Sequence, residues 1–238
     1  MVANTFSSSE KIGSIVAKLP KASTVFREYH IDFCCGGDRP LAEAIKEQNL
    51  DEQEVLLKLD QVYEDTKNLV SDGQDWWAMP YSDFIDYVVN THHAYLHTAL
   101  PKISDLVTKI LRVHGSHHPE LARVYKLFHT LKMDLDQHLI KEEEILFPMI
   151  EEYDENPTAD QLAKIVAVIE ELESEHVDAG DIIKELQTVT NDYAVPADGC
   201  STYRATYEKL HEMEGDLFEH IHLENNILFP RLEAQQYK

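Results

Sequence analysis

The sequence predicts an all-α protein in which a small helical N-terminal domain precedes an antiparallel four-helix bundle, and three observations lead there. From position 81 onward the chain falls into four long amphipathic segments, about 82–113, 119–152, 157–189 and 201–236, with breaks at 114–119, 154–157 and 190–199. Strand signals are nearly absent. A fifteen-residue stretch also occurs twice: 134–148 reads DLDQHLIKEEEILFP and 216–230 reads DLFEHIHLENNILFP, with eight of fifteen positions identical at an offset of 82.

Taken in order, Ser8 or Ser9 is a candidate cap for a helix over Ile12, Ile15, Val16 and Leu19, which Pro20 stops, and 21–29 reads as a second short helix. The run HIDFCCGGDRP at 30–40 carries turn residues; Asp38 is a candidate N-cap and Pro40 begins a helix through Leu41, Ala44 and Ile45. Residues 49–51 break that helix, and 50–70 forms another with Val55, Leu56, Leu59, Val62 and Leu69 on one side. This gives an N-terminal helical domain over 1–70 that presents a Cys34-Cys35 loop. The stretch SDGQDWWAMP at 71–80 reads as a linker, with Trp76 and Trp77 docking it onto a neighbouring surface. The bundle then occupies 81–238. Pro101, Pro148 and Pro230 lie within or near the ends of its segments, where they should kink or terminate a helix.

The repeat extends to the first and third long segments. Val89, His93, Leu96, Leu100 and Ile103 match Leu172, His176, Ala179, Ile183 and Leu186 at an offset of 83. Each half is thus a helical hairpin that supplies one histidine from its first helix and a His-x3-Glu from its second, namely His138/Glu142 and His220/Glu224. That spacing puts both side chains on one helix face, one turn apart. Carboxylates in an apolar stripe need a partner, and four imidazoles with two carboxylates in a bundle core suit a pair of first-row metals. A lone zinc takes about four ligands; six ligands, two of them able to bridge, point to two irons ahead of a mixed or manganese pair. With two histidines each and both glutamates shared, each iron keeps open positions for an oxo bridge, dioxygen or nitric oxide.

The repeat also ranks the other histidines. His92 corresponds to Glu175 and falls off the apolar stripe, so it is solvent-facing or supports a ligand; His97 corresponds to Gly180; His222, His114, His117, His118, His129 and His211 read as polar or surface residues. Asp134 and Asp216, one turn before the ligand histidines, either accept the other ring N–H or are helix-surface aspartates. Glu175 reads as solvated. Cys34 and Cys35 can share a metal, bind nitric oxide or oxidise together, with His30 as a neighbour, and Cys200 reads as a small core residue.

A net charge of −23, from 44 carboxylates against 21 Lys+Arg, argues against nucleic acid and anionic membranes as partners. No apolar run reaches the length of a membrane span, no signal-peptide form is present, and three cysteines do not make a disulfide framework, so a cytoplasmic protein is expected.

The motifs DFCCGGDRPL, HLIKEEEILFPMI, ESEHVDAG and HLENNILFPR together resemble the repair-of-iron-centres family of hemerythrin-like di-iron proteins across essentially the whole chain. The resemblance implies that His93, His138, Glu142, His176, His220 and Glu224 bind an oxo- and carboxylate-bridged pair of non-haem irons. It matches Cys34 and Cys35 to a cysteine pair linked to function and not to holding the iron pair. It further implies a stress-response protein that restores iron–sulfur clusters damaged by nitric oxide or peroxide, with damaged iron–sulfur proteins or a cluster-assembly scaffold as partners. Two readings stand beside this: a reversible dioxygen or nitric oxide carrier or sensor, and a nitric oxide reductase. A homodimer is among the states allowed.

Overall fold

The computed structural model describes residues 5–66 and 75–237; the last residues of the fourth predicted helix and the first part of the linker lie outside them. The chain divides into two compact units, Met1–Pro80 with Phe218–Lys238, and Tyr81–Leu217. No strand occurs among the described residues, and no helix there is long and apolar enough to cross a membrane.

In the first unit α1 (Ile12–Lys18), α2 (Ala22–Glu28), α3 (Leu41–Glu47) and α4 (Glu52–Thr66) form around one apolar cluster. Ile12, Ile15, Phe26, Phe33, Leu41, Val55 and Leu59 are its centre, and Phe218 packs edge-on against Phe33 with ring centroids 6.0 Å apart. The capping differs from expectation. Neither Ser8 nor Ser9 caps α1, whose N-cap is Lys11 without a side-chain bond. The loop instead serves α3: the Ala42 N–H donates to the Ser8 carbonyl (2.7 Å) and the Leu41 N–H to the Glu10 carbonyl (2.9 Å). Those orphan donors are met by backbone more than thirty residues away, so Asp38 is not needed and Pro40 takes the N-cap place. A reading of local side chains could not see acceptors so distant in sequence.

Residues 75–80 are tied down through their backbone. The Arg231 guanidinium donates to the carbonyls of Trp76 (2.8 Å) and Met79 (2.5 Å), while Trp77 remains 53% exposed. The docking expected of Trp77 therefore fails.

The second unit holds α5 (Tyr81–Val88), α6 (Ala94–His114), α7 (Glu120–Lys141), α8 (Phe147–Glu155), α9 (Ala159–Thr190) and the greater part of α10 (Ser201–Leu223). These make the four long rods of an antiparallel bundle, with apolar stripes such as Leu96, Leu100 and Ile103 of α6 and Ile165, Ile169 and Leu172 of α9 fully enclosed. Thr158 caps α9 by accepting from the Gln161 N–H (3.2 Å), and Asn191 ends it in the left-handed region (φ 50°).

The rods are not uniform α-helices. A π-helical turn over Val89–His93 joins α5 to α6, another over Glu142–Leu146 joins α7 to α8, and a third over Glu224–Leu228 joins α10 to α11 (Phe229–Glu233). Pro148 and Pro230 lie in the first turn of the helix after the second and third π turns, so neither ends its rod. A proline lacks the N–H that an α-helix needs and crowds the carbonyl four residues back; a widened turn immediately before it relieves both. Pro101 stands inside α6, which runs on through it.

Candidate metal centre

The three π turns coincide with three of the six ligand candidates. His93 closes the first, Glu142 opens the second and Glu224 opens the third, the last two at the 82-residue offset of the repeat. A π turn inserts one residue and re-aims the side chains that follow, and such turns concentrate at functional sites. The insertion also changes which residues face inward. His92 and His93 are adjacent yet both buried, so the solvent-facing reading of His92 is wrong; it binds Asp216 through Nδ1 (3.0 Å).

Within the second unit, His93, His138, Glu142 and His176 are all buried. His138 Nδ1 lies 2.8 Å from Glu175 Oε2, and Glu175 Oε1 receives the Lys141 ammonium at 2.5 Å. The His138 hydrogen bond, and then Lys141, hold the Glu175 carboxyl down to about 2. An ionised carboxylate only accepts, so Nδ1 of His138 carries the proton, and in the neutral ring Nε2 is the nitrogen left to take a metal. That nitrogen faces Glu142 Oε1 at 3.2 Å and His176 Nε2 at 3.0 Å. His93 repeats the device: Nδ1 lies 2.8 Å from Glu143 Oε1, and Nε2 faces Glu142 Oε2 at 3.3 Å.

Both oxygens of Glu142 meet imidazole nitrogens, Oε2 that of His93 and Oε1 that of His138. Nitrogen and oxygen lone pairs converging in a buried place repel one another unless a metal cation or a shared proton lies among them. The spacing agrees, because two imidazole nitrogens about 2.1 Å from one metal, at right angles, stand about 3.0 Å apart. One donor atom each of His138, Glu142 and His176 lies within 4.8 Å of the others, as holds for His93 and Glu142. The donor set fits a borderline first-row metal.

Within the first unit, His220 Nε2 lies 3.3 Å from Glu224 Oε1, and both residues are fully buried. His222, expected at the surface, is buried with its ring 6.0 Å from that of Phe33, and burial holds it down to about 4 as a neutral imidazole. Phe33 of the N-terminal segment packs on His222, a position outside the apolar stripe that carries His220.

The neighbours of the ligand candidates are the main surprise. Glu175, read as solvated, binds His138, and Glu143, given no role, binds His93. Asp134 is exposed, the helix-surface alternative, and Asp216 serves His92. The supporting carboxylates come from an adjacent helix, or from the residue after Glu142 on a facing one, so a search one turn away on the same helix misses them. His97 is exposed, 3.6 Å from Glu143. His30 is exposed at a positive-φ turn (φ 53°). The sulfurs of Cys34 and Cys35 lie 3.7 Å apart, and no disulfide joins them.

Cys200 is exposed rather than in the core, because it precedes the first turn of α10 and points back at His114, whose Nε2 lies 3.2 Å from its Sγ. The Tyr203 amide, then His114, pull its thiol down to about 7. Cys34 is pushed the other way, well above the usual thiol range, by its hydrogen bond with Cys35, by burial and by Asp32. Iodoacetamide at about pH 7.5 will therefore alkylate Cys200 well ahead of Cys34, with a pH–rate midpoint near 7 that His114→Ala raises; peptide mapping of the alkylated chain reads both.

Comparison with known proteins follows the same division of the sequence. The family profile described as Hemerythrin HHE cation binding domain matches residues 85–232, and one described as Domain of Unknown function (DUF542) matches 8–63. The chain is 34% identical over 225 residues to the iron-sulfur cluster repair protein YtfE of Citrobacter koseri, covering 94% of this chain and 97% of that one. It is 35% identical to the protein of the same name from Salmonella paratyphi B, with 94% and 97% covered, and 34% identical to a probable iron-sulfur cluster repair protein of Haemophilus influenzae, with 94% and 96% covered.

Proposed function

The chain belongs to the hemerythrin-like iron–sulfur cluster repair family, and from that premise we propose that it supports the repair of iron–sulfur clusters through a pair of non-haem irons. His93, His138, Glu142 and His176 of the second unit and His220 and Glu224 of the first would hold them, Glu142 and Glu224 as the shared carboxylates. When bound, iron supplies one-electron chemistry, open positions for nitric oxide or dioxygen, and metal that a damaged cluster has lost.

The protein's own residues set the terms of binding. Glu175 and Glu143 fix the tautomers of His138 and His93, so that both Nε2 lone pairs stay aimed at the Glu142 carboxylate. Lys141 helps His138 keep Glu175 ionised and in place beside the imidazole. Each of the six residues is buried, and exclusion of bulk water strengthens the hold of carboxylate on cation. In functional terms we take 1–70 as the cysteine-bearing domain, 71–80 as linker and 81–238 as the metal-binding domain, acting in the cytoplasm, where the thiols stay reduced.

One observation carries the repair reading beyond metal binding: a cation-binding bundle and a Cys34-Cys35 module occur in one chain that aligns over 94% of its length with repair proteins. Anaerobic incubation of the iron-loaded, reduced protein with an iron–sulfur enzyme inactivated by nitric oxide tests it. Recovery of enzyme activity, with loss of iron from this protein, is the expected result. Reversible nitric oxide binding without recovery would favour a carrier, and nitrous oxide in the headspace a reductase; either, without recovery, overturns the proposal.

A further inference from the structure

Apart from the histidines and glutamates above, one other set of metal donors converges among the described residues. Asp32, Cys34 and Cys35 each place a donor atom within 4.8 Å of the other two. Asp32 builds the loop: its Oδ1 receives the backbone N–H groups of Cys34 (3.2 Å), Cys35 (3.0 Å) and Gly36 (3.1 Å), which folds the chain around the carboxylate and brings the Cys34 sulfur within 3.3 Å of it. The loop is also held from outside, since the Asn226 amide donates to the Cys34 carbonyl (2.9 Å) and the Phe33 carbonyl (3.3 Å). Neither thiol depends on a chance side-chain rotation of a mobile segment for its position.

The spacing of the sulfurs is informative. At 3.7 Å they are far beyond a disulfide bond of about 2.05 Å. Two thiolates on one tetrahedral metal, each about 2.3 Å from it, stand about 3.8 Å apart. The same spacing serves an S–H···S contact while the thiols are protonated, so the loop satisfies both states with little movement. Two sulfurs exclude magnesium and calcium as preferred occupants and select a borderline, thiophilic metal.

We propose that Asp32, Cys34 and Cys35 form a metal site of their own, which takes a thiophilic divalent cation such as Zn2+ or Fe2+ through two thiolates and one carboxylate oxygen. Binding replaces two S–H protons by two metal–sulfur bonds, releases both protons to solvent and changes no oxidation state. Three protein donors leave a fourth position open, as in sites that exchange a ligand and unlike the closed four-donor sites that only hold a fold. Cys35, partly exposed, gives the entry side, and buried Cys34 the inner wall. None of these residues belongs to the proposed iron pair, so this site stands or falls independently of the repair reading.

Cobalt(II) is the probe. The full chain carrying Cys200→Ser keeps Cys34 and Cys35 as its remaining thiols, from three cysteines in all. Thiolate-to-cobalt charge transfer in the near ultraviolet then reports this loop alone, because imidazole and carboxylate ligands give no such band. With the iron pair loaded beforehand, the expected result is a saturable band at one equivalent of cobalt per chain, with about two protons released per cobalt. Cys34→Ser and Cys35→Ser should each abolish the two-thiolate band. Asp32→Asn keeps an oxygen for the three loop amides while removing the charge, and should weaken binding tenfold or more with unchanged helicity by circular dichroism. Absence of the band before any substitution at Asp32, Cys34 or Cys35, or a midpoint within twofold of the parent in Asp32→Asn, overturns the proposal.

Discussion

Glu142→Gln should abolish stoichiometric metal loading and, at the same time, make the metal-free protein more stable. The two effects have one cause. Glu142 is fully buried, with His93 Nε2 3.3 Å from one oxygen and His138 Nε2 3.2 Å from the other, so it is the carboxylate both imidazoles share. Its charge is shut away from water between those two imidazoles. Without metal that charge is a liability of several kcal/mol, and an amide of the same shape removes it. With metal the charge is the reason for binding. A ligand present at about a thousand times its dissociation constant stabilises the folded state by about 4 kcal/mol, which for a chain of this size corresponds to a rise in Tm on the order of 10 °C. The parent protein should show that rise on anaerobic addition of ferrous iron; Glu142→Gln should start higher and not respond. Metal analysis alongside should find two metals per parent chain and fewer than one in the variant. A variant that loads two metals and shows the parental Tm response would remove Glu142 from the ligand set.

The sequence alone could single out Glu142 because the chain repeats itself. Two hairpins placed His93 against His176 and His138/Glu142 against His220/Glu224, and each of those residues is buried. A repeat reports what both halves need, so it is silent on what each half does alone. Glu175 beside His138 and Glu143 beside His93 are not repeat partners of each other, and they were missed. Periodicity failed for a different reason at His92. A helical wheel of constant pitch places it off the apolar stripe, whereas the π turn at Val89–His93 brings both neighbours inward. Nothing in composition marks a π turn, although a proline soon after an apolar turn, as at Pro148 and Pro230, is a local sign that the regular hydrogen-bond ladder cannot continue. Cys200 was misplaced because a small apolar side chain at a helix start reads as core unless its partner His114, 86 residues earlier, is known.

The differences between the two repeats are as informative as their likenesses, and Asn226 yields the second large prediction. The first copy reads EEEILFP where the second reads ENNILFP. In the first unit the Asn226 side chain reaches the Cys34 loop through two carbonyls, and two glycines make room for it. A Cβ on Gly13 would stand 2.4 Å from Asn226 Oδ1, and one on Gly37 would stand 2.2 Å from it. The two positions nevertheless differ. At Gly13 all three nearest atoms belong to the Asn226 side chain, whereas at Gly37 the Phe33 backbone carbonyl also lies 2.7 Å away. Gly13→Ala and Gly37→Ala should each destabilise the protein by about 2–3 kcal/mol, the usual cost of overfilling a packed site. Asn226→Ala alone should cost about 1–2 kcal/mol through the lost hydrogen bonds. Combined, Gly13→Ala with Asn226→Ala should cost at least 1 kcal/mol less than the sum of the two, because the smaller side chain removes most of the clash. Gly37→Ala should show much weaker rescue, since the carbonyl cannot withdraw without breaking the loop that carries Cys34. Denaturant unfolding of the five variants gives both coupling energies, and equal rescue at the two glycines would mean that Asn226, not the Phe33 backbone, sets the limit at both.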